Sequence, residues 1–275
     1  MGDFCYNIFM KKKIFLIIIL VLIFPVLAFA HQPRITSSAY TIVPDPEISK
    51  AYYSKLDGEA QSYEISSEKS FTLYLNILVP DIDGQKKDVS AIVIKEEDTS
   101  SAPLALLNGV DFTWEKFFEP YGHDTYWKGP EYKAEIPAGK YLINVSSSSN
   151  DSKYALAIGE KENFNFKETM NDLHLVPQLK KTFFNESPID FIFSPFGWGL
   201  LLAFLVISVI IYFPMRFAVI KYWGKYLEKI KNKKYLRIIE FILGLALLIF
   251  IMLTTWNIWL IILAISTILE SIFWF

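Results

Sequence analysis

The chain has 275 residues, of which 52% are hydrophobic, 16% aromatic and only 20% charged, and its formal net charge at pH 7 is −2. This composition excludes an intrinsically disordered chain, and it is too apolar for an ordinary soluble domain, so a large core or a lipid bilayer must cover the apolar excess. A single cysteine excludes an intramolecular disulfide framework and a thiolate metal cluster.

The first thirty residues have the pattern of a secretory signal peptide. Three lysines at positions 11–13 precede an apolar run over residues 14–27, and Ala28-Phe29-Ala30 follows as a cleavage motif. We predict a signal peptide over residues 1–30 with cleavage before His31, which would also remove the only cysteine, Cys5. The alternative is an uncleaved anchor helix over residues 14–30.

Three further segments are apolar enough to cross a membrane. Residues 196–215 form the first predicted transmembrane helix, and Pro214 marks its end or a kink. The apolar stretch 238–275 is too long for one span, so we predict a transmembrane hairpin of two helices, about 236–253 and 256–275, with a turn near 254–257. The total is three transmembrane helices.

Charge predicts the orientation of these helices. The loop 216–237 carries eight Lys or Arg against one Glu and is therefore expected in the cytoplasm, whereas residues 31–195 carry 16 Lys or Arg against 25 Asp or Glu, a difference of nine negative charges. We expect a multi-pass protein of the cell membrane, with its N-terminal domain outside and its C terminus in the cytoplasm.

Residues 31–160 are predicted to form an all-β, antiparallel extracytoplasmic sandwich. Apolar residues recur with a period of two over 71–79, 89–95, 132–136, 141–145 and 154–158, and turn-forming clusters separate these runs. From residue 161 to 195 the period becomes helical, and we expect an amphipathic, membrane-proximal collar whose helix is broken near Pro177.

Residues 135–145, with the sequence EIPAGKYLINV, and residues 154–158, YALAI, resemble the last hairpin of bacterial prepeptidase C-terminal (PPC-like) domains. Tyr63-Glu64-Ile65 is similar to the opening strand of that family, although Gln61 and Ser62 stand where the family has an acidic pair. The resemblance implies a jelly-roll sandwich and a non-catalytic accessory or binding domain.

The segment 111–130 is rich in aromatic residues that are interleaved with acids and turn formers. Such a surface suits a sugar ring or a protein partner, because the rings supply contact area while carboxylates orient hydroxyls or amines. We expect a long loop whose exposed, ligand-binding residues are Tyr121, His123, Asp124 and Tyr126. The alternative is a lid over one end of the sandwich, with Trp114, Phe117 and Trp127 in the core.

No cofactor is expected, and two metals are weaker alternatives. Cleavage would make His31 N-terminal, so that its amine and imidazole could bind copper together with His123, or less favourably with His174. Asp81-x-Asp83-Gly84 with Asp88 offers oxygen ligands for calcium, although a solvated turn explains the same residues.

The cytoplasmic loop contains a basic amphipathic pattern. Lys221, Lys225 and Lys229 fall on one helical face, opposite a face of apolar residues, which predicts contact with anionic lipid.

Motifs of hydrolases, metalloproteases and nucleotide-binding proteins are absent, so no enzyme activity is predicted. The predicted function is that of a membrane-anchored binding module for a protein partner or an envelope glycan. The alternatives are an accessory subunit of a larger membrane complex and a copper-binding domain that uses its N-terminal histidine. Membrane lipids are expected partners, and nucleic acid is not.

Overall fold

The computed structural model describes residues 31–96, 102–163, 166–227 and 233–273. They belong to two compact units, one within Phe29–Glu186 and one within Ser187–Phe275. The predicted signal peptide lies outside the described residues.

The described part of the first unit contains eleven strands. They are β1 (Gln32–Ile35), β2 (Tyr40–Ile42), β3 (Lys50–Lys55), β4 (Gln61–Ser67), β5 (Phe71–Pro80), β6 (Ser90–Lys95), β7 (Ala105–Leu107), β8 (Glu115–Glu119), β9 (Asp124–Ile136), β10 (Gly139–Ser146) and β11 (Lys153–Ile158). One sheet has the order β1-β3-β11-β5-β9-β8, and the other has the order β2-β4-β10-β6-β7. The predicted β-sandwich is therefore confirmed.

The pairing is antiparallel except at one edge of each sheet. There β1 lies parallel to β3 and β2 lies parallel to β4, so the expectation of a purely antiparallel sandwich is wrong. Strands β1 and β2 follow each other closely in the chain but enter different sheets, so they do not form a hairpin. Instead β1 lies beside β3 and β2 lies beside β4. The last two strands lie inside the sheets, with β10 between β4 and β6 and β11 between β3 and β5.

The core between the sheets follows from the two-residue period of the strands. On β5, Phe71, Leu73, Leu75, Ile77 and Val79 are at most 5% exposed and pack with inward residues of the other sheet. The same alternation turns the intervening β5 residues to the outer face of the six-stranded sheet, where they become available for a site.

The segment 111–130 is a hairpin rather than a long loop. Strand β8 pairs with β9 from Glu115–Lys128 to Glu119–Asp124, and residues 120–123 form the turn. The sequence obscured these strands because aromatic residues occupy both of their faces, so that neither face reads as polar. Trp114 is buried in the core and Trp127 packs against it, as in the lid alternative, but Phe117 is 41% exposed and does not belong to the core.

A helix, α1 (Phe166–Thr182), packs on the outer face of the six-stranded sheet. Pro177 lies inside this helix, so the predicted break is wrong. Leu179, with Phe183 and Phe184 just beyond the helix, packs on Leu78, Tyr126 and Ala155 of the sheet. Burial of this apolar face against the sheet outweighs the hydrogen bond that Pro177 cannot donate. The predicted collar is thus divided, with residues up to Glu186 in the sandwich unit and Ser187 onward in the helical unit.

The helical unit begins with a short 3₁₀ helix (Pro188–Phe193), followed by α2 (Pro195–Leu227), α3 (Lys233–Thr254) and α4 (Ile258–Phe273). Helix α2 continues through Pro214, so of the two predicted alternatives, an end or a kink, the end is wrong. Apolar residues on both sides favour continuation, and proline is tolerated in helices of this kind. Residues 255–257 form the predicted turn between α3 and α4.

Two of these helices are long and apolar enough to cross a membrane, namely Pro195–Tyr222 within α2 and Lys234–Thr254 within α3. Helix α4 is apolar, but its 16 residues span about 24 Å, which is less than the roughly 30 Å of a hydrocarbon core.

A buried ring and several hydrogen bonds connect the elements of the helical unit. The indole of Trp256 is fully buried, contacts Phe191 and donates to the carbonyl of Pro188. The hydroxyl of Tyr212 donates to Glu270 at 2.5 Å, and Arg237 donates to the carbonyls of Ser271 and Ile272 at 2.8 and 3.0 Å near the end of α4.

Candidate functional site

A cavity of about 260 Å³ lies between the outer face of the six-stranded sheet and helix α1. This volume is far above the roughly 10–15 Å³ that one water molecule needs, and it lies near the lower end of the range for ligand pockets, roughly 300–1,000 Å³. Its walls combine aromatic, acidic and apolar side chains, among them Tyr53, Tyr74, Asn76, Phe117, Glu119, Tyr121, Asp124, Tyr126, Glu162, Val176 and Leu179.

Strand alternation delivers these side chains to the cavity. On β3, Tyr52 enters the sandwich core, so Ala51 and Tyr53 lie on the outer face. On β5, Tyr74 and Asn76 alternate with core residues in the same way. Because neighbouring strands are in register, the outward residues of β3, β11, β5 and β9, which follow one another in the sheet, form one continuous floor.

Hydrogen bonds hold the buried polar groups of this floor. The hydroxyls of Tyr53 and Tyr126 bond to each other at 2.8 Å. Asn76, which is 3% exposed, donates to the carbonyls of Gly129 and Pro130 at 3.2 and 3.3 Å, beside the bulge that separates Asn76 from Leu78. The tyrosine rings thus stand in fixed positions as walls of the cavity.

One ammonium group, that of Lys180 on α1, is buried beside the cavity with a side chain only 1% exposed. It donates to the carboxylate of Asp124 at 2.5 Å, to Glu186 at 3.1 Å and to the carbonyl of His123 at 3.0 Å. These contacts connect the helix to the β8–β9 turn. Burial raises the pKa of Asp124 to about 7, and the adjacent Lys180 opposes that rise.

Two further polar contacts join α1 to the sandwich. Arg34 on β1 forms an ion pair with Glu168 at 2.9 Å, and the hydroxyl of Tyr121 donates to Asp172 at 3.2 Å. Asp172 is fully buried, and within the described part of the chain its second carboxylate oxygen accepts no hydrogen bond. Burial raises the pKa of Asp172 to about 7, and the bond from Tyr121 opposes the rise.

The β8–β9 turn is folded around the carboxylate of Glu119. Its two oxygens accept the backbone N–H groups of Tyr121 at 2.8 Å and Gly122 at 2.7 Å. Position 122 requires glycine, because a Cβ there would lie 2.3 Å from the carboxylate of Asp124. Burial raises the pKa of Glu119, and the two backbone bonds oppose that rise.

The four residues predicted to bind a ligand have different positions. Tyr121 is half-buried and lines the cavity, whereas His123 is exposed in the turn and contacts Phe118. Asp124 and Tyr126 line the cavity but are only 5% and 2% exposed, so their predicted exposure is wrong; their strand faces α1. Sequence analysis missed Tyr53, Tyr74 and Glu119, whose only signal was an outward place on a predicted or unrecognised strand.

Neither predicted metal site is present as a cluster of ligand side chains among the described residues. Within the described ranges, no group of three or more His, Cys, Asp or Glu side chains could hold a metal ion. His31 bonds to the hydroxyl of Ser49 at 2.6 Å and lines the cavity, a wall to which His123 does not contribute. On the possible calcium loop, Asp81 accepts from Lys116 and from the Trp127 indole, both at 2.8 Å, and Asp88 accepts from serine hydroxyls.

Of the three lysines predicted to face lipid, Lys221 is exposed on α2. The backbone of Lys225 is helical, and Lys229 lies outside the described residues.

No protein-family model matches the chain, and no curated protein is significantly similar to it. Among solved structures, the pre-peptidase C-terminal domain of a collagenase from Bacillus anthracis is similar with a TM-score of 0.26 and 10% identity, over 47% of this chain and 94% of that one. This match bears out the resemblance predicted from the sequence motifs.

Two other solved structures are similar at the same level. The Drosophila NLP core, described in terms of pentamer formation and histone binding, has a TM-score of 0.23 and 7% identity over 40% of this chain and 94% of that one. CorA of Methylomicrobium album, described as a surface-associated copper-binding protein, has a TM-score of 0.24 and 7% identity over 46% and 100%. Similarity at this level carries no argument about ligand or activity.

Replacing Lys180 with methionine should destabilise the sandwich unit by about 3–5 kcal/mol, because it leaves the buried carboxylate of Asp124 without its cation. Thermal unfolding of the full chain in detergent, followed by circular dichroism, measures the effect. Lys181→Met is the matched control, since Lys181 is the next residue of the helix and is exposed. Equal melting temperatures for the two variants would show that the Lys180 contacts do not hold α1 on the sheet.

Stability of the sandwich unit should fall as pH rises from about 4 to about 7. Over that range the folded state keeps a proton on Asp172 that the unfolded chain, with a carboxyl pKa near 3.8, has released. The loss from this group is at most about 4 kcal/mol, at 1.36 kcal/mol per pKa unit. Melting temperatures at pH 5 and pH 8 should differ less in Asp172→Asn than in the parent, whereas Asp83→Asn, at an exposed position, should keep the parental difference.

Proposed function

We propose that this protein is a membrane-anchored, non-catalytic binding module, whose sandwich unit lies outside the cytoplasm and takes a small ligand. The observation that carries the proposal is the 260 Å³ cavity under α1, with its aromatic and acidic walls. A cavity that is lined mainly by apolar and aromatic groups, with a few fixed polar ones, is the usual form of a ligand site.

The proposed ligand site differs from the one expected on the aromatic segment. An exposed aromatic loop would have suited the face of a glycan or a protein. A cavity of this size under a helix instead suits a molecule or a terminal group of a few heavy atoms. In the proposed site, Tyr121, Asp124 and Tyr126 are part of the cavity wall, whereas His123 is not.

Membrane anchoring is supported by composition and by the helices. Helices α2 and α3 are each long and apolar enough to span, and the proposal adds α4 as a third, shorter span. The basic segment 216–237 is not a loop over its described residues, since 216–227 belong to α2 and 233–237 to α3. It is proposed to lie in the cytoplasm and to contact anionic lipid through Lys221, Lys225 and Lys229. An accessory subunit would have a protein partner in the membrane, and purification in mild detergent would reveal that partner.

Single cysteines introduced into a Cys5→Ser background test the orientation. Ser70→Cys, at an exposed position between β4 and β5, should react with a membrane-impermeant maleimide on intact cells. Lys221→Cys should react only after the cells are permeabilised, because the positive-inside rule places it in the cytoplasm. The reverse pattern would place the sandwich inside the cell and contradict the proposal.

A thermal-shift screen of the full chain in detergent tests the cavity. We expect saturable stabilisation by at least one member of a library of sugars, amines, amino acids and short peptides. Val176→Trp should abolish that response, because Val176 lines the cavity and the larger ring fills it. Gln178→Trp adds the same ring on the exposed side of α1 and should respond as the parent does. An unresponsive parent, or an equal response in both variants, would contradict a ligand site here.

A further inference from the structure

The walls of the cavity are unusually rich in aromatic rings. Tyr53, Tyr74, Phe117, Tyr121 and Tyr126 all line it, and the hydroxyls of Tyr53 and Tyr126 are occupied by each other. The face of an aromatic ring carries partial negative charge and attracts a cation within about 6 Å of its centre.

The charged groups of the wall are mainly acidic. Three carboxyl groups line the cavity, those of Glu119, Asp124 and Glu162, against Lys128 and His31 as basic residues. Lys128 forms an ion pair with Glu131 at 2.8 Å. Burial lowers the pKa of the His31 imidazole below its usual value, and cleavage before His31 would add a terminal amino group at this residue.

The nearest buried cation does not balance these acids. The ammonium of Lys180 contacts both Asp124 and Glu186, and Glu119 shares the same electrostatic field, so three carboxyl groups depend on one positive charge. Burial raises the pKa of Glu119, of Asp124 and of Glu162, although Lys180 and the N–H groups of the β8–β9 turn partly compensate the first two carboxylates. A neutral sugar would leave this excess as it is, whereas a positively charged group would balance it.

We propose that the cavity binds a small organic cation, an amine or a quaternary ammonium group, between its tyrosine rings and the carboxylates of Glu119 and Asp124. The inference rests on the proposed binding function and names its ligand class. An organic cation fits better than a metal ion, because no metal-binding group of three ligands occurs among the described residues and because rings make up much of the wall.

Choline and its neutral carbon isostere, 3,3-dimethylbutan-1-ol, separate charge recognition from simple filling of the cavity. The full chain is purified in a maltoside detergent, without phosphatidylcholine, whose headgroup would itself supply a quaternary ammonium. Titration followed by intrinsic fluorescence should give saturable binding of choline, and binding of the isostere should be weaker by about tenfold or more. Equal affinities for the two molecules would overturn the proposal.

Three variants locate the binding. Glu119→Gln should weaken choline binding by about tenfold, because it removes a charge of the cavity wall. Glu115→Gln, at an exposed position on the same strand, should bind as the parent does. Tyr74→Leu should lose affinity while Tyr74→Phe keeps it, which tests the ring independently of Glu119 and of any misfolding in that variant. Unchanged choline affinity in both Glu119→Gln and Tyr74→Leu would place choline elsewhere.

A glucose titration distinguishes failure of this inference from failure of the proposed function. Binding of glucose but not of choline, lost in Val176→Trp, would keep the cavity as a ligand site and overturn the cation. If no compound binds, in this titration or in the wider library, the result contradicts both the organic-cation inference and the proposed binding function.

Discussion

The buried ammonium of Lys180 is the interaction on which the arrangement of the sandwich unit depends. It joins helix α1 to the turn between β8 and β9, through Asp124 and the carbonyl of His123. A buried ion pair adds little net stability when it replaces a well-packed apolar contact, but it strongly disfavours any state in which one partner is left alone. The pair therefore fixes where α1 lies on the sheet more than it stabilises the fold as a whole.

With α1 in this position, a cavity remains between the helix and the sheet. The helix covers the sheet tightly at its C-terminal end, where Leu179, Phe183 and Phe184 pack on Tyr126 and Leu78. Beside this apolar cluster, Tyr74, Asn76 and Glu119 line the cavity. The contacts of α1 therefore explain both the apolar cluster near Lys180 and the cavity beside that cluster.

The sequence predicted the inner half of the sandwich well and the outer half poorly. Strands such as β5 and β10 are predicted by a regular period of two, since one of their faces packs in the core between the sheets. On β8, an edge strand whose residues are mostly exposed, and on β9, aromatic residues stand on both faces, and the alternation of polar and apolar residues disappears. Asp124 and Tyr126 were identified as candidate site residues from composition alone, but their burial depends on a helix 40 residues later that no local pattern connects to them. The pairing of Lys180 with Asp124 is a property of tertiary structure and has no signal in either segment.

The position of the final hairpin has a consequence for the order in which the domain is assembled. Strands β10 and β11 are the last to leave the ribosome, yet they form the middle of both sheets, and β11 joins residues as distant as Lys50 and Ile158. Until they arrive, β3, β4, β5 and β6 expose unsatisfied edges, so the domain cannot complete itself from its N terminus strand by strand. Folding must wait for nearly the whole sandwich unit and is then a late, concerted event, during which the unfinished sheets are open to mispairing with other chains.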